Sequence, residues 1–358
     1  MVDLSVKIGD ITLQNPVTPA SGAFSWEYND VIDLNRLGGL VAKTICREPR
    51  LGNPTPRMAE TEAGIIQSIG LPGKGIEYFI DHIVPEYARF TPPLIVSVSS
   101  DNVEDFAALA EELSIPDVDV IEANISCPTR NLTGQNFAMH EDYTRDCITA
   151  FREAGVMPDM VQNGNEITNG MLWPDGKLPE NWDNFAELVR AGIRGVDAGR
   201  GDLPRPRIMV QIEKAGDLGA TRYFFDNLFA RGVDCDVIGQ SYYPWWHGSL
   251  LEMREVLHFM ARQYKKDIIL VEVAYNWRPT EYRDKTAPFP ESPEGQRDFL
   301  AAVHATLLDV PDGRGAGVFW WEPAVPTRPD GDGLRSRGMF DDEGNALPVI
   351  TVFDQYAR

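Results

Sequence analysis

The chain has 358 residues, 43% of them hydrophobic and 24% charged, with 8 Trp; that composition excludes disorder and suits a globular protein with a large core. Its formal charge of -21, from 54 acidic against 33 basic residues with no basic cluster, argues against nucleic acid and anionic membrane surfaces as partners. Cys46, Cys127, Cys147 and Cys235 lie far apart, with no C-x-x-C pair and no His at zinc spacing, so they read as free, mostly buried thiols and no metal is expected. The opening MVDLSVKIGDITLQ alternates polar and apolar residues, unlike a signal peptide, and no apolar run of about 18 residues occurs, so the sequence as it stands reads as cytoplasmic.

In chain order, LSVKIGDITL predicts two short strands turning at Gly9-Asp10, an N-terminal β-hairpin. Short apolar runs rich in branched residues then recur at about 16–20, 39–45, 93–99, 118–125, 159–164, 207–213, 236–243, 268–274 and 317–322. Segments of helical period lie between them, among them EDFAALAEELS, EDYTRDCITAFREAG, TRYFFDNLFARG, LLEMREVLHFMARQY and EGQRDFLAAVHATLLDV. Strand and helix in alternation, without a break in composition, predict an α/β fold: a single TIM-type (β/α) barrel over residues 1–358. Nine strand runs exceed the usual eight, so either one run is not a barrel strand or the barrel is atypical. The one plausible seam is 129–140, TRNLTGQNFAMH.

Barrel enzymes carry their reactive groups at the C-terminal ends of strands. Glu166 follows the run DMVQNGN, and Glu272 lies inside IILVEVAYNW, where an unpaired acid among apolar residues is costly. Glycoside hydrolysis needs two such carboxyls, one to protonate the departing oxygen and one to meet the oxocarbenium charge. In a retaining pair, repulsion from an ionised Glu272 would keep Glu166 protonated until Glu272 is esterified. Ion pairing of the two with rim Arg or Lys is an equal reading on pattern alone, and Glu213 and Glu322 are competing acids at other strand ends.

The blocks PDMVQNGNEITNGMLWPDG, RYFFDNLFARGVDCDVIGQSYYPWWHGSL, ILVEVAYNW, SPEGQRDFLAAV, GVFWWEPA and FDDEGNALP resemble the ordered motifs of bacterial endo-beta-1,4-galactanases, so residues 131–358 are identified as a galactanase-like catalytic segment. The resemblance implies a retaining glycosidase acting on galactan, with Glu166 as acid/base and Glu272 as nucleophile. It further implies Asn165 on the sugar 2-hydroxyl, Tyr242 or Tyr243 holding the nucleophile, and Trp321 as a flat platform for a galactose ring. Trp245, Trp246 and Trp277 would extend that platform or pack in the core, and Asp217 would meet substrate. Gln211, Glu213, Gln240 and Asn276 depart from the family pattern, at strand ends where polar substitutions would alter the pocket. The loop RPTEYRDKTAPFPE lacks the calcium-binding run of some family members. The parent family is secreted.

Residues 1–130 instead resemble flavin-dependent dihydroorotate dehydrogenases, through the hairpin, NPVTPASGAF, GGLVAKTI, RMAETEAGIIQSIGLPGKGIE, PLIVSVSS and IEANISCP. That resemblance implies relic flavin positions at Ala20, Ser21 and Lys43 and a pyrimidine position at Asn124. Gln67 and Thr129 stand where the family has asparagines, and the flavin phosphate site would fall in the other segment, so no cofactor is expected. The expectation is a chimera, engineered from fragments of two barrels. Alternatives are a hybrid barrel without catalysis and an FMN-dependent dihydroorotate oxidoreductase.

Overall fold

A computed structural model describes all residues except 1–4, 9–10, 16, 20, 22–24, 31, 56, 62–63, 68, 126–140, 156, 280–286, 322–335, 344 and 356–358. The expected seam at 129–140, Ala20, Cys127, Thr129 and Glu322 lie outside the described residues. Strands β1 (Val6–Ile8) and β2 (Ile11–Leu13) pair antiparallel, Val6 opposite Leu13, as the hairpin predicted. Strands β3 (Val17–Pro19) and β4 (Leu40–Ile45) follow. Next comes an antiparallel pair absent from the sequence-based expectation, β5 (Met58–Thr61) with β6 (Gly64–Gln67). Strand β7 (Leu94–Val98), helix α1 (Val103–Glu112) and strand β8 (Val120–Ala123) complete the front half. Asn102 starts α1 by accepting the Asp105 amide at 2.7 Å, so one of the amides a helix start leaves unpaired is satisfied.

The back half begins with α2 (Glu141–Glu153) and β9 (Met160–Gln162), then the small hairpin β10 (Gly170–Met171) and β11 (Gly176–Lys177). Helix α3 (Trp182–Gly199) leads to β12 (Arg207–Ile212), and α4 (Leu218–Ala230) to β13 (Val237–Tyr242). The short α5 (Pro244–His247) and the long α6 (Leu250–Tyr264) precede β14 (Asp267–Val273), and α7 (Pro293–Leu308) precedes β15 (Gly315–Trp320). All nine apolar runs contain strands.

Two parallel sheets result, a six-stranded one in the order β3-β15-β14-β13-β12-β9 and a three-stranded one in the order β4-β7-β8. The larger is a half-barrel. Its outer face packs on the helices through residues such as Ile208, Ile238, Ile268, Leu270 and Val318, part of the main core. Its inner face carries a second apolar cluster of Met209, Val237 and Ile269, with Met160, Val271, Ala316 and Phe319 against it. Alternate residues on parallel strands thus fill the two sides, as the period of two requires. Among the described cysteines, Cys46, Cys147 and Cys235 are free and buried.

Candidate active site

Strict alternation along β14 sends Ile268 and Leu270 outward and Ile269 and Val271 inward. Continued, it would turn Glu272 out among the helices. The register between β13 and β14 slips at this point, with Gln240 opposite Leu270 but Ser241 opposite Glu272, and that between β14 and β15 slips between Leu270 and Val273. An extra residue in one strand breaks the alternation and re-aims the side chain that follows. Val273 is back in the outer core, and Glu272 joins Val271 on the inner side.

There Glu272 meets Tyr243, whose hydroxyl donates to Glu272 Oε2 at 2.8 Å. Of the two tyrosines expected to hold this carboxyl, Tyr242 is the wrong one. It is the last residue of β13 and faces outward, its ring stacked 6.0 Å from Phe299 and its hydroxyl donating to the Gly248 carbonyl at 3.0 Å. Tyr243, one residue on, takes the inner side. The Tyr243 amide donates to His247 Nδ1 at 3.0 Å, which fixes the neutral tautomer with the proton on Nε2. Burial pushes the His247 pKa down to about 4, in keeping with that tautomer.

Glu166 stands just beyond β9, in a turn where Gly164 has φ 92° and Glu166 itself has φ 51°. A left-handed conformation is uncommon for a residue with a side chain and is held by its surroundings. The holding group is Gln211, whose Oε1 accepts the Glu166 amide while its Nε2 donates to Ser241 Oγ at 2.8 Å. A position that reads in sequence as a departure from family pattern is therefore a support for the Glu166 backbone.

Burial is the first cause raising the pKa of both carboxyls. Glu272 rises to about 7, with the charge of Glu166 as the second cause and the Tyr243 hydrogen bond opposing. Glu166 is raised by burial and then by Glu213, with Ser241 and Lys214 opposing. Dehydration therefore leads at both carboxyls, a cause the expectation did not weigh; repulsion between the two adds to it, and Glu213 is a third acid acting on Glu166. Glu213 accepts from Thr168 Oγ1 at 2.7 Å and lies 3.6 Å from Lys214 Nζ.

The remaining expected residues divide. Trp321 meets Tyr243 edge-on at 6.3 Å, and Trp246 meets it at 6.1 Å and is 46% exposed, so both rings flank the tyrosine that bonds Glu272. Trp245 is core, stacked 5.0 Å from Tyr275. Trp277 carries the Arg278 guanidinium 4.6 Å over its ring. Asn165, next to Glu166, accepts from Gln162 Nε2 at 3.3 Å. Asp217, expected at substrate, is the N-cap of α4, accepting the Ala220 amide at 2.8 Å; a carboxylate there satisfies an orphan amide of the helix. Gln240 and Asn276 are buried with partners: Gln240 accepts the Lys214 amide at 3.0 Å, and Asn276 donates to Glu291 at 2.8 Å.

The flavin-like positions are engaged locally. Ser21 Oγ lies 2.8 Å from Thr44 Oγ1, Lys43 Nζ donates to the Pro72 carbonyl at 2.7 Å, and the Asn124 carbonyl accepts from Ser99 Oγ at 3.2 Å. Among the described residues no group of three or more His, Cys, Asp or Glu is arranged to hold a metal, and no helix is long and apolar enough to cross a membrane.

Comparison with known proteins resolves the two halves. The dihydroorotate dehydrogenase sequence profile matches residues 3–173, and the chain is 37% identical over 200 residues to the catalytic subunit of dihydroorotate dehydrogenase B (NAD(+)) of Desulforamulus reducens, covering 55% of this chain and 60% of that one. An arabinogalactan endo-beta-1,4-galactanase of Thermothelomyces thermophilus is 33% identical over 228 residues, covering 60% of this chain and 67% of that one. A solved fungal beta-1,4-galactanase superposes with a TM-score of 0.59 at 26% identity, covering 77% of this chain and 90% of that one. The chain spans about 60% of the length of the first curated relatives it matches. It is a chimera of two parents, and the two profiles overlap on residues 131–173. The profile of glycosyl hydrolase family 53 matches residues 131–353, more than half of the chain, and the chain belongs to that family.

Proposed function

We propose that this protein is a retaining endo-beta-1,4-galactanase whose whole chemistry comes from the back half. The observation that carries the reading is the inward turn of Glu272 onto the Tyr243 hydroxyl, in electrostatic reach of Glu166. In the first step Glu272 attacks the anomeric carbon and forms a glycosyl ester, while Glu166 gives its proton to the departing sugar oxygen. Esterification removes the charge on Glu272, so the pKa of Glu166 falls and it can take a proton from the water that releases the sugar. Tyr243 fixes the Glu272 carboxyl and stabilises its ionised form. Asn165 is assigned to the sugar 2-hydroxyl, and Trp246, Trp277 and Trp321 to the apolar faces of galactose rings.

The two sheets, of six and three strands, together form one nine-stranded barrel over residues 1–358 in this reading. Residues 1–130 serve as scaffold, with Ser21, Lys43 and Asn124 as relics without flavin. Linear beta-1,4-galactan incubated with the purified chain is expected to release reducing sugar, and Glu166→Gln and Glu272→Gln to release at least about a thousandfold less, the loss of a principal catalytic group. Equal signals from all three proteins would sink the proposal and leave a barrel without catalysis.

A further inference from the structure

Beside the Tyr243–Glu272 pair lies a charged side chain that the mechanism above does not use. Arg337 is 6% exposed, and its guanidinium sits 5.4 Å over the ring of Tyr243, 5.2 Å over Trp246 and 5.8 Å over Trp321. Those rings come from three elements: the end of β13, α5 and the end of β15. They meet one another edge-on, Tyr243 to Trp246 at 78° and Tyr243 to Trp321 at 86°, so the cation lies where three ring faces converge. A guanidinium over a ring face is attracted by the ring quadrupole, and more strongly where water is excluded.

The backbone that carries Arg337 is itself fixed. Its carbonyl accepts from Trp320 Nε1 at 3.1 Å, the Gly338 carbonyl accepts from Gln296 Nε2 at 2.8 Å, and the Ser336 carbonyl accepts the Trp277 amide at 2.6 Å. Strand β15, helix α7 and the segment after β14 thus hold these residues from three sides. The chain that carries the guanidinium is fixed beside the three rings.

We propose that Arg337 is a positioning residue for the hydrolytic reaction, holding the Tyr243 phenol on Glu272 by clamping its ring together with Trp246 and Trp321. The proposal rests on the catalytic reading of Glu272. Tyr243 can donate to Glu272 only from one ring position, and on the inner side the clamp determines that position. Trp321 shares the clamp, but the group that touches the reacting carboxyl is Tyr243, so the principal effect falls on turnover.

The test is a double-mutant cycle in the full chain, read as kcat and KM on linear galactan, with Arg337→Met, Arg337→Lys, Tyr243→Phe and the double variant. Arg337→Met is expected to lower kcat about tenfold with KM changed less than about threefold, Arg337→Lys to restore most of kcat, and Arg337→Met to add less than about twofold to Tyr243→Phe. Fully additive losses, or a change in KM alone, would overturn it. A second readout needs no turnover: 13Cζ-tyrosine NMR, with the Tyr243 resonance assigned from Tyr243→Phe. That resonance should shift in Arg337→Met and return most of the way in Arg337→Lys, and an unmoved resonance in Arg337→Met overturns the proposal. A wild type that hydrolyses nothing while the resonance behaves as expected would refute the catalytic reading alone. Should Arg337→Met fail to fold, Arg337→Lys and Arg337→Gln carry the same comparison.

Discussion

The two places where the front and back halves meet are built differently. At one, β3 and β15 form a parallel ladder that pairs Val17 with Val318, Thr18 with Phe319 and Pro19 with Trp320. That edge is tied on to the front sheet by the Ser21–Thr44 hydroxyl pair, and by the Thr18 methyl, which packs so near Gly39 that a Cβ there would lie 3.1 Å from it. At the other, no ladder joins β8 to β9 among the described residues. The halves meet there through helices, with Phe106 of α1 edge-on to Phe151 of α2 at 5.9 Å and both rings buried. One seam is directional and made of backbone; the other is apolar and made of side-chain volume.

The largest expected effect falls on the apolar seam. Phe106→Ala removes a fully buried ring and should cost about 3–5 kcal/mol, read by urea unfolding at constant slope. A loss under about 1 kcal/mol would mean that the helices do not carry that seam. The pH arm comes next. The folded-state pKa of Glu272 is raised to about 7, so the folded protein holds this proton after the unfolded chain has released it. The contribution of Glu272 to stability is therefore greatest below the ordinary carboxylate range and is lost as pH rises through about 7. Glu272→Gln should then be more stable than wild type at pH 8 by on the order of 1–3 kcal/mol, with the gap gone at pH 4. A gap independent of pH would contradict this origin.

Smaller still, Val318→Ala at the ladder should cost about 1–2 kcal/mol, since the backbone bonds remain and only methyl groups are lost. In the same protein, amide exchange should stay slower along β15 than along β8; the reverse order would invert the comparison. Least of all, Lys43→Met in the front half should leave galactan hydrolysis within about twofold of wild type, and a larger loss would draw the front half into the site.

Much of this arrangement was legible in the sequence because its signals are local. Apolar runs and turns located all nine strands of the two parallel sheets, and ordered motif blocks identified both parents. What escaped depends on register. Periodicity cannot reveal the slip that brings Glu272 round beside Val271, nor which of two adjacent tyrosines faces inward. Gln211 read as a loss because a residue type was weighed without its partner, whereas in space it holds Glu166. Arg337 left no signal at all, since its three rings lie 16, 91 and 94 positions upstream in sequence. The hairpin of β5 and β6 was missed because its residues show neither period strongly.

The ladder between β3 and β15 has a consequence for how such chains arise. Its bonds run between peptide groups, which every sequence shares, so the strand that arrives at that edge need not have evolved beside its neighbour. What it must bring is length, direction and a small face where the next strand comes close. A half-barrel edge is thus a generic socket, and descent with exchange of whole fragments can proceed without the new partners first learning each other's side chains.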